Sequence, residues 1–492
     1  MNSLTRRLLL RHTAAVVTTG IVPGGLALFA HPSAMKAAQQ RAPVGSLPAR
    51  GEFVIRGAYV MTMDPVLGDI AGGDIHVKDG SIVAVGKALN APAATAISGE
   101  RMIVLPGLVE THWHMWNTLL RGFSGDRHEE SYFPMLVAVG KFWTPADTHL
   151  GTRLGAVEAI DSGITTVHNW SHMLPAPEFA DAELMALADA GIRARFSYGW
   201  SPLLAETQAL PLADVERLNR DWAKFANGGL IHLGLGWRGI WRFGKRSPET
   251  VYRREFELAR GIGIPIALHV PGVRNSPKVV EMHDKEGFLG KDVLIAHATW
   301  VTADEIRMLK DAESSVSLSP VTDAHVGYGF APTSELIDGG VNCCLSIDTT
   351  VETGTCSLFE NMKYLVNLEN GRFGDEFKML PRKALELATI NGARALGLAD
   401  HIGTLSPGKR ADLIMVSTRG VNMGLLSDPA HLLVESATPT NVDTVVVDGR
   451  ILKQNGKLTH IDVEGLTDET AAAFDSLRKR ANWRSEDFSK PR

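Results

Sequence analysis

Two textures alternate along the chain. Between residues 51 and 104, short apolar and β-branched runs are cut by turn residues. Phe53-Val54-Ile55-Arg56-Gly57-Ala58-Tyr59-Val60 comes first, then 74–85 with Asp79-Gly80 at its centre. An Asp-Gly pair between such runs signals a hairpin, because both central residues of that turn need positive φ. The texture returns after residue 400, in Ala411-Asp412-Leu413-Ile414-Met415-Val416 and in Val442 to Val447 followed by Asp448-Gly449-Arg450. Two β-rich ends around a different middle predict one small composite β domain, built from 46–104 and 400–464.

The middle, 105–399, alternates short β-branched runs with helix-patterned stretches. Predicted strands are 103–109, 164–168, 194–198, 231–235, 265–270, 293–297, 315–319 and 342–347. Helical patterns between them include 181–189, 212–225, 249–260, 277–285, 302–311 and 358–367. This alternation predicts parallel βαβ units, and eight strands fit one closed (β/α)8 barrel of the TIM type, an α/β fold. A doubly wound open sheet is the alternative, but no Gly-rich dinucleotide turn follows the first strand. Residues 465–492 are charged and helix-prone, which predicts a surface helix or tail.

The first forty residues differ from both textures. Thr5-Arg6-Arg7-Leu8-Leu9-Leu10 precedes a run from Thr13 to Ala30 that carries no charge, and small residues follow. That layout reads as a twin-arginine-type export signal over 1–40 and predicts a periplasmic or secreted protein. Pro23, Gly24 and Gly25 interrupt the run, so no stable membrane span is expected once the signal is removed.

Composition narrows the classes. With 45% hydrophobic and 21% charged residues in 492, the chain is neither disordered nor collagen-like. Fifty basic against 55 acidic residues leave a net charge of -5, too little positive charge to make nucleic acid an expected partner. Cys343, Cys344 and Cys356 are too clustered for a disulfide framework and read as buried small hydrophobes.

Chemistry concentrates where a barrel places its active site, at the C-terminal strand ends. Strand one ends in His112-Trp113-His114, strand five in His269, strand six in His297 and strand eight in Asp348. Alternate residues of a strand point the same way, so His112 and His114 can share one ion. Adding His269 and Asp348 gives a nitrogen-rich set suited to Zn2+, with Fe2+ as the other candidate. A lone strand-end histidine is more often a hydrogen-bonded structural residue. Coincidence at four strand ends together is a weaker explanation than a site.

Around these positions the chain resembles the amidohydrolase superfamily. The similarity runs through Val104-Leu105-Pro106-Gly107-Leu108-Val109-Glu110-Thr111-His112-Trp113-His114, Ile295-Ala296-His297-Ala298, and Gly339-Gly340-Val341 leading to Ile347-Asp348-Thr349. It continues through 388–397 and 402–414, and is closest to the cytosine deaminase, chlorohydrolase and aminohydrolase branch. The resemblance implies a metal-bearing barrel with a composite β-sandwich. It further implies one divalent metal held by His112, His114, His269 and Asp348, which activates water. Asp348 would act as general base and then acid, and His297 would polarise the scissile bond. Binuclear relatives use a strand-four lysine; Ile231-His232-Leu233-Gly234-Leu235-Gly236 has none, which favours one metal.

The chain departs from the branch at an instructive place. Its deaminases carry a glutamate three residues after the strand-five histidine, to protonate a ring nitrogen; here that position is Gly272. Attack on an amide, carbamate or urea carbonyl does not need that donor. The expected function is therefore exported, metal-dependent hydrolysis of such a non-peptide C–N bond in a small molecule. An aminoheterocycle deaminase or dechlorinase with a replacement donor is one alternative, and an inactive binding protein is the other. Ser319-Pro320-Val321-Thr322-Asp323 also departs from the pattern, as does Trp300, and His168, His172 and His325 are the candidate replacement donors. Trp113, Trp116, Trp170, Trp237 and Trp241 near strand ends suit either core packing or an aromatic pocket. Assembly into a homo-oligomer stays open at this level.

Overall fold

The computed structural model describes residues 45–125, 127–242, 244–270, 278–424 and 426–483. The signal-like segment 1–40 and Gly272 lie outside them. Eight strands form one sheet in chain order: Leu108–Trp113, Ile164–Ser171, Arg193–Gly199, Ile231–Trp237, Ile266–Val270, Val293–His297, Ser315–Leu318 and Cys343–Leu345. Every neighbouring pair is parallel. The ring closes where Trp113 bridges Asp348: Asp348 N–H donates to His112 O at 2.9 Å and His114 N–H to Asp348 O at 2.8 Å. Seven of the predicted strands are thus barrel strands and the first is one only from Leu108 onward, and the closing seam runs through the predicted chemistry.

The first predicted strand, 103–109, proves to be two. Met102–Pro106 stays in the composite sheet, while Leu108–Trp113 opens the barrel. Gly107 separates them; a Cβ there would fall 2.0 Å from Thr165 Oγ1. Both strands are buried, so the apolar run shows no break by periodicity.

The composite domain is one continuous nine-stranded sheet from both flanks of the barrel, around its own apolar core that includes Phe53, Ile55, Ile75, Val77, Leu413 and Val446. Strand Phe53–Met61 changes partner along its length, pairing first with Thr95–Ser98 and then with Met102–Pro106. Both Asp-Gly hairpins form, with positive φ at Asp79 and Gly80 (49° and 83°) and at Asp448 and Gly449 (53° and 72°).

Helix Pro145–Asp161 has no amphipathic pattern to betray it. Gly151 and Gly155 bring one face close to Trp116, Thr118 and Trp113, and Val157 and Ile160 on the opposite side are buried as well, so the helix packs on more than one side. The available signal is Thr144-Pro145-Ala146-Asp147, which forms a capping box with proline in the first turn. The predicted helix 212–225 stops at Arg220 and continues as a short 3-10 turn, Trp222–Lys224. The C-terminal helix Val463–Ala481 is anchored rather than loose: the Phe474 ring lies 4.7 Å from Phe123, and Arg480 donates to Asp147 at 2.6 Å. Among the described residues no helix is long and apolar enough to cross a membrane. All three cysteines are buried and free.

Candidate metal centre and active site

The strand ends bring all five predicted side chains together. Asp348 Oδ1 lies 3.2 Å from His112 Nε2 and 3.4 Å from His114 Nε2. His114 Nε2 is 3.3 Å from His269 Nε2. His112, His269, His297 and Asp348 each offer a ligand atom within 4.8 Å of the others. Strand pleating sends Trp113, between the two histidines, the other way, into the barrel wall against Gly155.

Burial drives His112 and His269 well below the usual histidine range, and His114 down to about 3. These rings are therefore neutral, the form that ligates metal. Both ring nitrogens of His112 are buried without a hydrogen-bond partner. An orphaned buried polar atom costs about 1–3 kcal/mol, so this one needs an explanation. Several neutral imidazoles around one carboxylate oxygen, with nitrogens left unspent, fit a single divalent cation.

The surroundings orient the set. His114 Nδ1–H donates to Trp170 O at 2.9 Å, the kind of outer bond that fixes a ligating ring. Glu110 Oε1 accepts from His112 N–H at 2.8 Å and from Ile347 N–H at 3.3 Å, pinning the first strand to the segment before Asp348; burial pushes its carboxyl up to about 8. His297 is different. Burial disfavours its charge, yet the Asp323 carboxylate, 2.8 Å from Nδ1, outweighs that and raises its pKa. The doubly protonated ring, the form that the Asp323 carboxylate favours, would offer Nε2–H as a donor. His297, Ala298 and Asp348 all sit at positive φ (73°, 53° and 63°). Such backbone strain in non-glycine residues concentrates at functional sites.

Above the centre lies a cavity of about 460 Å³, within the range of small-molecule sites. Trp170, Trp200, Trp237 and Trp241 line it. Trp170 stands 4.0 Å from the His269 ring, centroid to centroid, and the Arg242 guanidinium stacks 4.1 Å over Trp200. Trp113 and Trp116 belong instead to the buried core. Trp237 serves both readings, lining the cavity yet fully buried against Phe256 and Phe288.

The three candidate replacement donors separate as well. His168 is a satisfied core residue, 2.7 Å from Thr111 O and 2.8 Å from Ser197 Oγ. His172 lines the cavity with Nδ1 3.0 Å from His114 Nδ1. The His325 side chain is 58% exposed and reaches inward only to Glu352, at 3.0 Å. Trp300 is exposed and donates to Tyr328 O at 2.6 Å. Sequence reasoning gave no role to Asp323 or Glu352. Pro320 starting the short helix Pro320–His325 was a cue for the first, since that helix carries Asp323 under His297.

The model described as Amidohydrolase family matches residues 103–452. A 5'-deoxyadenosine deaminase of Methanosarcina acetivorans is 30% identical over 447 residues, covering 88% of this chain and 99% of its own. An adenosine deaminase structure from Xanthomonas campestris, with bound zinc, superposes with a TM-score of 0.78 at 22% identity, over 88% of this chain and all of that one (100%). A variant of atrazine chlorohydrolase from Arthrobacter aurescens TC1, complexed with zinc and atraton, gives 0.74 at 24% identity, over 86% and 100%. The two structures share the barrel and the added domain.

Proposed function

Because this chain belongs to the amidohydrolase family, and is thus a hydrolase of C–N bonds other than peptide bonds, we propose that it is an exported, mononuclear enzyme for amide-, carbamate- or urea-like bonds on planar, aromatic-sized small molecules. The carrying observation is the convergence of His112, His114, His269, His297 and Asp348 at the floor of a tryptophan-walled cavity. His112, His114, His269 and Asp348 would hold the metal, Zn2+ by preference and Fe2+ as the other candidate. When bound, the ion would supply Lewis acidity and lower the pKa of water. Export rests on the arginine pair and uncharged run of the first forty residues.

The chain's own residues divide the work. Asp348 takes a proton from the attacking water and returns it to the departing nitrogen. Water's oxygen joins the carbonyl carbon as the C–N bond breaks; one water proton passes through Asp348 to the nitrogen and the other stays on the new carboxyl group. His297, fixed by Asp323, donates Nε2–H to the oxygen on which negative charge develops. The tryptophans orient a flat substrate and exclude bulk water.

A second reading, removal of an exocyclic amino group from an adenosine-type heterocycle, is favoured by the deaminase relative. Metal analysis followed by turnover on amides, carbamates, ureas and aminoheterocycles decides between them. Carbonyl C–N cleavage with one metal per chain is expected. Efficient deamination without any such cleavage would sink the first reading in favour of the second.

A further inference from the structure

Glu352 is a carboxylate that the reaction above does not use. It lines the cavity, four residues after Asp348, with its side chain only 6% exposed. Its Oε2 lies 3.0 Å from His325 Nε2, whereas Oε1 is buried with no hydrogen-bond partner. An ion pair whose histidine is 58% exposed contributes little by itself. It does not explain why the second oxygen should be buried unmet, at a cost of about 1–3 kcal/mol.

The backbone that carries Glu352 is fixed from several sides. Thr349 caps the short helix Thr350–Thr353 by accepting from Val351 N–H. The Thr349 hydroxyl donates to Asn117 Oδ1 at 2.9 Å, and Asn117 Nδ2 donates to the Tyr132 hydroxyl at 2.9 Å. The Thr353 hydroxyl lies 3.0 Å from Thr349 O. Tyr132 and Tyr328 line the same cavity. Segments following the first, seventh and eighth strands therefore converge on a rigidly mounted carboxylate with one unspent oxygen.

We infer that Glu352 is a substrate-recognition residue, with His325 as its positioning partner, and that its free Oε1 receives a planar N–H donor group of the ligand, such as an amidine or an amino-substituted ring. The tryptophan wall suits the flat body of such a ligand, and the carboxylate supplies the polar anchor that fixes its orientation. The inference rests on the reading of this cavity as the substrate site. It gives the pocket a preference that the metal centre alone does not: two planar ligands of equal size should differ by the group they turn toward Glu352.

Calorimetry of metal-loaded full-length protein with benzamidine and with acetophenone, a neutral planar analogue of the same size that has no N–H and no C–N bond to cleave, tests this. Benzamidine should bind about tenfold or more tightly than acetophenone, as a charge-assisted bond allows. Glu352→Gln should bring that preference within about twofold, with acetophenone affinity unchanged. A wild-type chain without the preference, or a folded E352Q chain that keeps it, overturns the inference. If E352Q does not fold, His325→Gln carries the test: a reduced preference supports the role and an unchanged one overturns it. Metal content of the same samples separates the two proposals. One metal per chain without the preference refutes Glu352 alone, whereas a preference without metal refutes the metal reading alone.

Discussion

Two buried polar clusters sit at opposite kinds of place in this molecule, and they are built differently. At the junction of barrel and composite sheet, Arg193 donates twice to Asp412, at 2.6 and 3.0 Å, and Asp412 also accepts from Asp448 N–H at 2.8 Å. Asp448 in turn holds Arg410 and Arg50. Opposite charges alternate, and each charged group has a partner. At the strand ends, like groups crowd instead: several neutral histidines around Asp348, strained backbone, and His112 nitrogens that make no hydrogen bond. The first cluster is complete as protein, the second only with something added. Incompleteness, more than burial or polarity, marks the working site.

The largest test of that contrast is Asp348→Asn. Turnover should fall by at least about 10³-fold, since ligand and proton carrier are lost together. The thermal midpoint of metal-free protein should stay within a few degrees, because the residue stores strain rather than stability. Removing metal from wild type should lower the midpoint in a metal-concentration-dependent way, by mass action. If chelation leaves both midpoint and turnover untouched, the centre is not a metal site.

Asp412→Ala should do the converse. It leaves Arg193 buried without its bidentate partner, which costs about 3–5 kcal/mol. Denaturant unfolding should report that loss, while turnover per folded molecule holds. A large loss of turnover in folded protein would mean that the junction also shapes the site.

Asp412 shows why sequence carries some of this and not the rest. It lies in one of the strings that gave the family resemblance, yet its role is structural, visible only once Arg193 comes from 219 positions away. His112, His114, His269, His297 and Asp348 were legible because barrel geometry converts strand ends into one place. Alternation placed eight strands, though it ran the first of them together with a composite-sheet strand across Gly107, where burial on both sides erases the period. Asp323 and Glu352 were not legible: each acts through a contact that depends on how a loop folds back. Pro145–Asp161 was missed because a helix packed on several sides shows no apolar stripe.

Glu183 lies between the two extremes. It accepts from Asn169 and Ser171 beneath the end of the second strand, and burial pushes its carboxyl up to about 7 from 4.5. The folded state therefore holds this proton more tightly than the unfolded chain. That contribution is whole below pH ~4.5 and is lost as pH rises toward ~7, on the order of 3 kcal/mol. Glu183→Gln should flatten the stability-versus-pH curve in that window. A slope unchanged by the substitution would assign the pH dependence elsewhere.

The smallest effect belongs to the solvent edge of the complete cluster. Arg50 is 36% exposed and donates to Asp448 Oδ2 at 2.7 Å through Nε, while Arg410 holds Oδ1. Arg50→Ala leaves Asp448 paired, so its loss should cost less than about 1 kcal/mol and shrink further in salt. Combined with Asp412→Ala, it should fall short of additivity, since both changes draw on one network. A double-mutant cycle by denaturant unfolding measures that coupling. Strict additivity would mean that Arg50 and Asp412 stabilise the fold independently, and that the junction is two neighbouring ion pairs rather than one closed cluster.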